Sequence, residues 1–166
     1  MLNYKSNESN LLSFGEEIQE NIWIGSHNGI DVINKNKEKI RHFENNPNDT
    51  TSLFNNSIFC IYRDKKNYMW IGKNENGPLE KYDPETESFI HFYDFDGTGF
   101  NTHVIFEDKD ENLWLGLWYG GLRVFDKNRN LKKKYLTAEN DFEDYGLISI
   151  NDISQDVNGY MYIGTN

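Results

Sequence analysis

The chain has 166 residues, a formal charge of −10 and a sequence pI near 4.8, and 15% of it is aromatic. That length supports one ordinary domain with a real core. An acidic surface repels phosphate backbones, so no nucleic acid partner is expected. A single cysteine, Cys60, rules out an internal disulfide and any metal site built on several cysteines. Its neighbours Ile58-Phe59 and Ile61-Tyr62 predict a buried, inert thiol.

Residues 1–10 lack the apolar stretch of a signal peptide, and no apolar run approaches the ~20 residues of a membrane span. The expectation is a soluble cytosolic chain or a piece of a larger exported one, without direct membrane insertion. Residues 1–5 resemble the later segment Lys39-Ile40-Arg41-His42-Phe43, so the chain is expected to open in an outer strand. The first repeat unit, about 11–45, contains Trp23-Ile24-Gly25. Its innermost strand is expected to be short, since Leu12 to Trp23 spans 11 residues where Leu53 to Trp70 spans 17. The second unit, about 55–94, carries Trp70-Ile71-Gly72, and the third, about 101–137, carries Trp114-Leu115-Gly116. The fourth, 148–166, carries Tyr162-Ile163-Gly164 and stops after its second strand.

The tripeptide of aromatic, branched aliphatic and glycine thus recurs four times, at steps of 47, 44 and 48 residues. A constant period of about 40–50 residues marks a radially repeated four-stranded unit. Each unit breaks into four short extended segments separated by turn residues, strands A to D with A innermost. The fold class is all-β: a β-propeller-like array of four-stranded antiparallel blades, about three full blades plus partial terminal blades, in one incomplete propeller domain over residues 1–166. Beginning in D and ending in B predicts a fragment of a longer propeller, a strained four-blade ring, or an oligomer that closes the ring between chains.

Asp64, Asp108 and Asp156 each stand six residues before their aromatic. They predict A–B turns in which the carboxylate accepts from backbone two residues on, with Asn67, Asn112 and Gly159 at the positive-φ position. Gly29-Ile30, Gly77-Pro78 and Gly120-Gly121 supply the B–C turns, and strand C is apolar at alternate positions. Trp23, Trp70, Trp114 and Tyr162 are expected to be scaffold packed between blades. Gly25, Gly72, Gly116 and Gly164 permit a bend or close approach at the end of strand B. Lys132-Lys133-Lys134 is expected to be a solvated strand edge.

The pattern Asp-x-x-Asn/Gly-x-Leu/Met-Trp-Ile-Gly-x-x-x-x-Gly-Leu resembles the two-component regulator propeller repeat, from about residue 11 to 166. That resemblance implies a periplasmic, extracytoplasmic sensor propeller of a Bacteroidetes hybrid two-component system, non-catalytic, which recognises oligosaccharides or transmits a signal through domain and dimer contacts. The membrane span, histidine kinase and receiver that follow in such systems are not in this sequence.

His42 and His91 occupy equivalent places in strand D and read as structural, whereas His27 and His103 fall on the B–C and D–A loops of one face. The run Asp108-Lys109-Asp110-Glu111-Asn112 starts like a calcium loop, but Leu113 stands where glycine is required and Tyr119 where glutamate is. No metal or other cofactor is therefore expected. The third B–C loop, Leu117-Trp118-Tyr119-Gly120, carries two large aromatics where the other units have small or polar residues. They could stack on a sugar ring, fill a gap between blades or meet another chain. The candidate ligand contacts are His27, Asn28, Asn74, Glu75, His103, Trp118 and Tyr119, with an oligosaccharide ligand, further blades or a second copy as partners. The alternatives are a structural module for self-assembly and, from another class, a propeller lyase of the streptogramin-degrading type.

Overall fold

Short runs of alternating side chains between tight turns favour extended backbone, and all regular structure among the described residues is strand. The computed structural model describes residues 13–16, 21–74, 77–94, 97, 99–135 and 148–166. The proposed leading strand at 1–5 and Glu75 lie outside them.

The first blade is a meander of β1 (Ser13–Glu16), β2 (Ile22–Ser26), β3 (Gly29–Ile33) and β4 (Lys39–Phe43) in that spatial order. The second is β5 (Ile58–Arg63), β6 (Met69–Lys73), β7 (Leu79–Asp83) and β8 (Ser88–Phe92). The third is β9 (Thr102–Glu107), β10 (Leu113–Leu117), β11 (Leu122–Phe125) and β12 (Leu131–Tyr135), and β13 (Ile150–Gln155) pairs with β14 (Met161–Thr165) in a fourth sheet. Every pairing is antiparallel. The first strands of successive blades are neighbours, β1 against β5, β5 against β9 and β9 against β13, so strand A lies innermost. This is the all-β propeller-type array that the repeat predicts.

The tripeptide is an inter-blade joint. Trp23 packs with Ile58, Ile61, Met69 and Ile71 of the second blade. Trp70 packs with Ile105, Leu113 and Leu115 of the third, and Trp114 with Ile150 and Ile153 of the fourth. The glycine lets the next inner strand close in. A Cβ on Gly25 would lie 2.5 Å from Ile58 Cγ2, and one on Gly116 2.6 Å from Ile150 Cγ2. Tyr162 and Gly164 differ from the scaffold role expected of them. Tyr162 is 57% exposed, and a Cβ on Gly164 would meet nothing closer than 3.4 Å, in its own blade. The described residues set no further inner strand against this pair.

The A–B turns follow the aspartates. Asp64 Oδ1 accepts from the amides of Lys66 and Tyr68, both at 2.9 Å, and its Oδ2 accepts from Trp70 Nε1 at 2.8 Å. Asp108 repeats the pattern with Asp110, Asn112 and Trp114, and Asp156 repeats it with Asn158 and Tyr160, its Oδ2 accepting a longer 3.4 Å bond from the Tyr162 hydroxyl. One expectation is corrected here. In the third blade the positive-φ residue is Glu111 at 63°, not Asn112, because the turn requires φ > 0 three residues after the aspartate whatever side chain stands there. Among the described residues the first blade's inner strand is short, as expected, with four residues against six in β5, β9 and β13, and it keeps the common register: Ser13 pairs with Gly25 twelve residues on, as Cys60 pairs with Gly72 and Val104 with Gly116. Leu53, used as the yardstick for a short strand, lies in the connection before β5.

Strand C keeps its alternation with one change. Lys81 pairs with Trp70 in the register of Val32 with Trp23 and Val124 with Trp114, and its ammonium lies 4.2 Å from the centre of the Tyr68 ring. Lys132 and Lys133 are exposed on the outermost strand of the third blade.

Candidate functional site

One backbone device recurs on the face where strand B ends. Gly29 N donates to Asn56 O at 2.9 Å, Phe100 N to Gly77 O at 2.9 Å and Gly121 N to Ile148 O at 3.4 Å. Each bond ties a B–C turn to the segment entering the next blade's inner strand. The B–C turns and the D–A connections therefore form one continuous surface.

On that surface the third blade's turn is pinned twice more. Trp118 N donates to Asn101 O at 2.9 Å and Tyr119 N to Ser149 Oγ at 3.3 Å. Tyr119 itself takes φ 58°, an unusual conformation for a bulky residue. The two rings stand 39% and 52% exposed, in an edge arrangement with centroids 5.4 Å apart. Trp118 also meets the His103 ring at 5.0 Å, and His103 meets Phe59 at 4.5 Å. The structure thus brings three predicted residues, His103, Trp118 and Tyr119, into one aromatic group spanning the second and third blades. Phe59 completes it and was missed by sequence reasoning.

His103 Nδ1 lies 3.2 Å from Ile150 O. A carbonyl oxygen only accepts, so Nδ1 carries the proton and Nε2 is left as an acceptor in the neutral ring. Burial holds this histidine below its ordinary pKa, partly offset by the Ile150 carbonyl. The group therefore offers aromatic faces and edges together with a hydrogen-bond acceptor.

The other candidates lie elsewhere on the same surface. His27 is exposed, with Nδ1 3.2 Å from Ser57 Oγ, two positions before Phe59 in the chain. Asn28 is exposed, and its amide donates to Ser26 Oγ at 3.1 Å. Asn74 is half-buried and its carbonyl accepts from Gly77 N at 3.2 Å.

Beneath the surface sits a buried ion cluster that sequence reasoning did not foresee. Lys73 Nζ and Glu80 Oε2 are 2.9 Å apart with both side chains fully buried. Lys73 Nζ also donates to Asn55 O at 2.7 Å, while Glu80 Oε1 accepts from Phe54 N at 2.7 Å and lies 2.9 Å from His91 Nε2. These bonds hold the connection between the first two blades against strands β6 to β8. Desolvation lowers the Lys73 pKa, and the hydrogen bond that His91 donates to the Glu80 carboxylate raises that of His91. His42 makes the equivalent cross-strand contact to Asp31, Nδ1 to Oδ1 at 2.6 Å, so both strand-D histidines pair with the residue opposite on strand C.

Burial pushes the Cys60 thiol up to about 12, so it is protonated and unreactive near neutral pH. Among the described residues, no group of three or more His, Cys, Asp or Glu side chains is placed to hold a metal ion, and no helix is long and apolar enough to cross a membrane.

The family model described as "Two component regulator propeller" matches residues 52–72. The chain is 26% identical over 142 residues to "Histidine kinase P4" of Formosa agariphila, a match covering 82% of this chain and 10% of that protein. It superposes, with a TM-score of 0.79 and 23% identity, on a crystallised extracellular domain from B. thetaiotaomicron, described as that of a hybrid two-component system. That superposition covers 99% of this chain and 21% of the other. Virginiamycin B lyase from Staphylococcus aureus shares the fold at TM-score 0.68 and 13% identity, over 98% of this chain and 51% of the enzyme. The chain spans about a tenth of the curated relative and about a fifth of the crystallised extracellular domain.

Proposed function

We propose that this chain, whose residues 52–72 match the two-component regulator propeller model, is a non-catalytic recognition segment of an extracytoplasmic two-component sensor, which takes an oligosaccharide on the face formed by its B–C turns and D–A connections. The observation that carries this reading is the group Trp118, Tyr119, His103 and Phe59. Two of these rings are exposed on backbone pinned by neighbouring segments, and they adjoin an acceptor nitrogen. Sugar rings present apolar faces for stacking and hydroxyl groups for donation, which is the complement of that surface. The likeness to the lyase, at 13% identity, speaks to fold only.

Titration calorimetry of the full chain against neutral and acidic hexasaccharides tests this, with Trp118→Ala/Tyr119→Ala as the control. Binding by the parent chain and its loss in the double variant is expected. Equal affinity in both would remove the aromatic turn from the site.

Self-assembly is a second reading, and the β13–β14 hairpin favours it. Val157, Tyr160 and Tyr162 are 97%, 69% and 57% exposed there, an apolar surface suited to another blade or a second copy. A concentration-independent monomer mass by light scattering would count against it.

A further inference from the structure

Three inner strands carry the same irregularity at the same place. In β5 the pairing passes from Ile58, opposite Lys73, to Cys60, opposite Gly72, so Phe59 has no partner. In β9 it passes from Thr102, opposite Leu117, to Val104, opposite Gly116, leaving out His103. In β13 it passes from Ile150, opposite Thr165, to Asp152, opposite Gly164, leaving out Asn151. Each omitted residue stands eleven positions before its blade's tripeptide aromatic. A bulge inserts one residue and turns its side chain out of the ladder's alternation, a device that re-aims side chains beside binding sites.

The consequence is visible in the packing. The residues that flank each bulge on its N-terminal side, Ile58, Thr102 and Ile150, are all fully buried, whereas Phe59 and His103 are half-buried and Asn151 is exposed. Phe59 and His103 meet edge to face across two blades, and the His103 Nδ1 proton reaches the Ile150 carbonyl immediately before Asn151. The three bulge residues therefore run as one row along neighbouring inner strands, beside Trp118. Their chemistry changes step by step: an apolar ring, an acceptor nitrogen, then an amide that both donates and accepts.

Charge narrows what such a row would bind. Three cations on the strands that flank the B–C turns are engaged: Lys73 with Glu80, and Arg123 and Lys134 with Asp94 Oδ2. The whole chain carries −10. A carboxylated or sulfated ligand would meet no counter-charge among these engaged side chains, whereas hydroxyl groups would meet an acceptor and an amide.

We infer that Phe59, His103 and Asn151 are the specificity-determining positions of the proposed ligand face, and that they read an uncharged, hydroxyl-bearing ring. This rests on the oligosaccharide reading above and adds both the residues and the ligand's charge class. The row is set by backbone register rather than residue type, so the blades present different chemistry from one common frame.

The test is calorimetry of the full chain with cellohexaose, laminarihexaose, maltohexaose, mannohexaose and xylohexaose, set against hexagalacturonate. The expected result is binding by at least one neutral hexaose and none by hexagalacturonate. Phe59→Ala and His103→Ala should each weaken that binding about tenfold or more. His103→Gln, which restores an acceptor, should recover part of the loss. Asn151 is exposed, so Asn151→Ala should leave the unfolding midpoint in place while weakening binding or changing the order of preference among the neutral sugars. A neutral hexaose that binds all four variants as it binds the parent would overturn this inference and leave the recognition function intact. Tighter binding of hexagalacturonate would overturn the assigned charge class. Failure of every hexaose to bind would overturn the oligosaccharide reading itself.

Discussion

Trp70 Nε1 donates a 2.8 Å hydrogen bond to Asp64 Oδ2, and the same carboxylate oxygen accepts from Arg129 Nη2 of the next blade at 2.8 Å. Arg129 also reaches Glu107 Oε1 at 3.2 Å and lies over the Trp70 ring. A turn aspartate, a packing tryptophan and an inter-blade arginine thus converge on one buried oxygen. Removing the carboxylate should leave the buried indole N–H without its acceptor and the guanidinium with only Glu107 and the Glu111 carbonyl. Asp64→Ala should lower unfolding free energy in urea by about 3 kcal/mol. Asp156→Ala removes a turn acceptor on the exposed hairpin and should cost only about 1 kcal/mol. Equal losses would mean that the arginine joint contributes nothing.

The glycines allow a sharper comparison, because the same substitution meets different neighbours. Gly116→Ala would drive a methyl into Ile150 and Val104, and should destabilise by about 1–3 kcal/mol. Gly164→Ala meets only Asp152 at 3.4 Å and should be near neutral. If the two variants unfold alike, the glycine's purpose is not to admit the next blade.

The two half-buried histidines of the second and third blades should pull stability in opposite directions with pH. The Glu80 hydrogen bond raises the folded pKa of His91, so the native state holds a proton that the unfolded chain releases. Its contribution is complete below the unfolded value of about 6.5 and is lost as pH rises from there through the folded value. Burial lowers the folded pKa of His103, so its contribution is present above about 6.5 and is lost as pH falls below it. Thermal midpoints between pH 5 and 9 should therefore fall less on the alkaline side in His91→Gln, and less on the acid side in His103→Gln. The opposite assignment of the two limbs would contradict these environments.

Cys60 offers a kinetic check on the joint between the second and third blades, since its thiol lies against Gly72 and Thr102. With its pKa pushed up to about 12, it should react with a disulfide reagent at neutral pH only in denaturant. Rapid labelling of the folded chain would place the thiol outside the joint.

Those features that repeat were legible in the sequence, and those that depend on cross-strand register were not. The tryptophans, the glycines and the aspartates six positions upstream recur because every joint must close in the same way. Asn112 was mistaken for the positive-φ residue because residue preference favours asparagine, whereas hairpin geometry gives that place to Glu111. Phe59 and Asn151 share an offset of eleven with His103, but their side chains differ too much for the offset to be noticed before the bulge is seen. The Lys73–Glu80 pair was hidden because its members come from different strands and the first blade has Ser26 and Asp31 at the corresponding places. Trp118 and Tyr119 stood out because they break the repeat, and the structure sets them beside His103.

The most direct test of the account is calorimetric titration of the full chain and its Trp118→Ala/Tyr119→Ala variant with the panel of neutral hexaoses. Saturable binding by the parent chain should disappear in the variant while the unfolding midpoint stays unaltered. Undiminished binding by the variant, or no binding by the parent to any member of the panel, would contradict it.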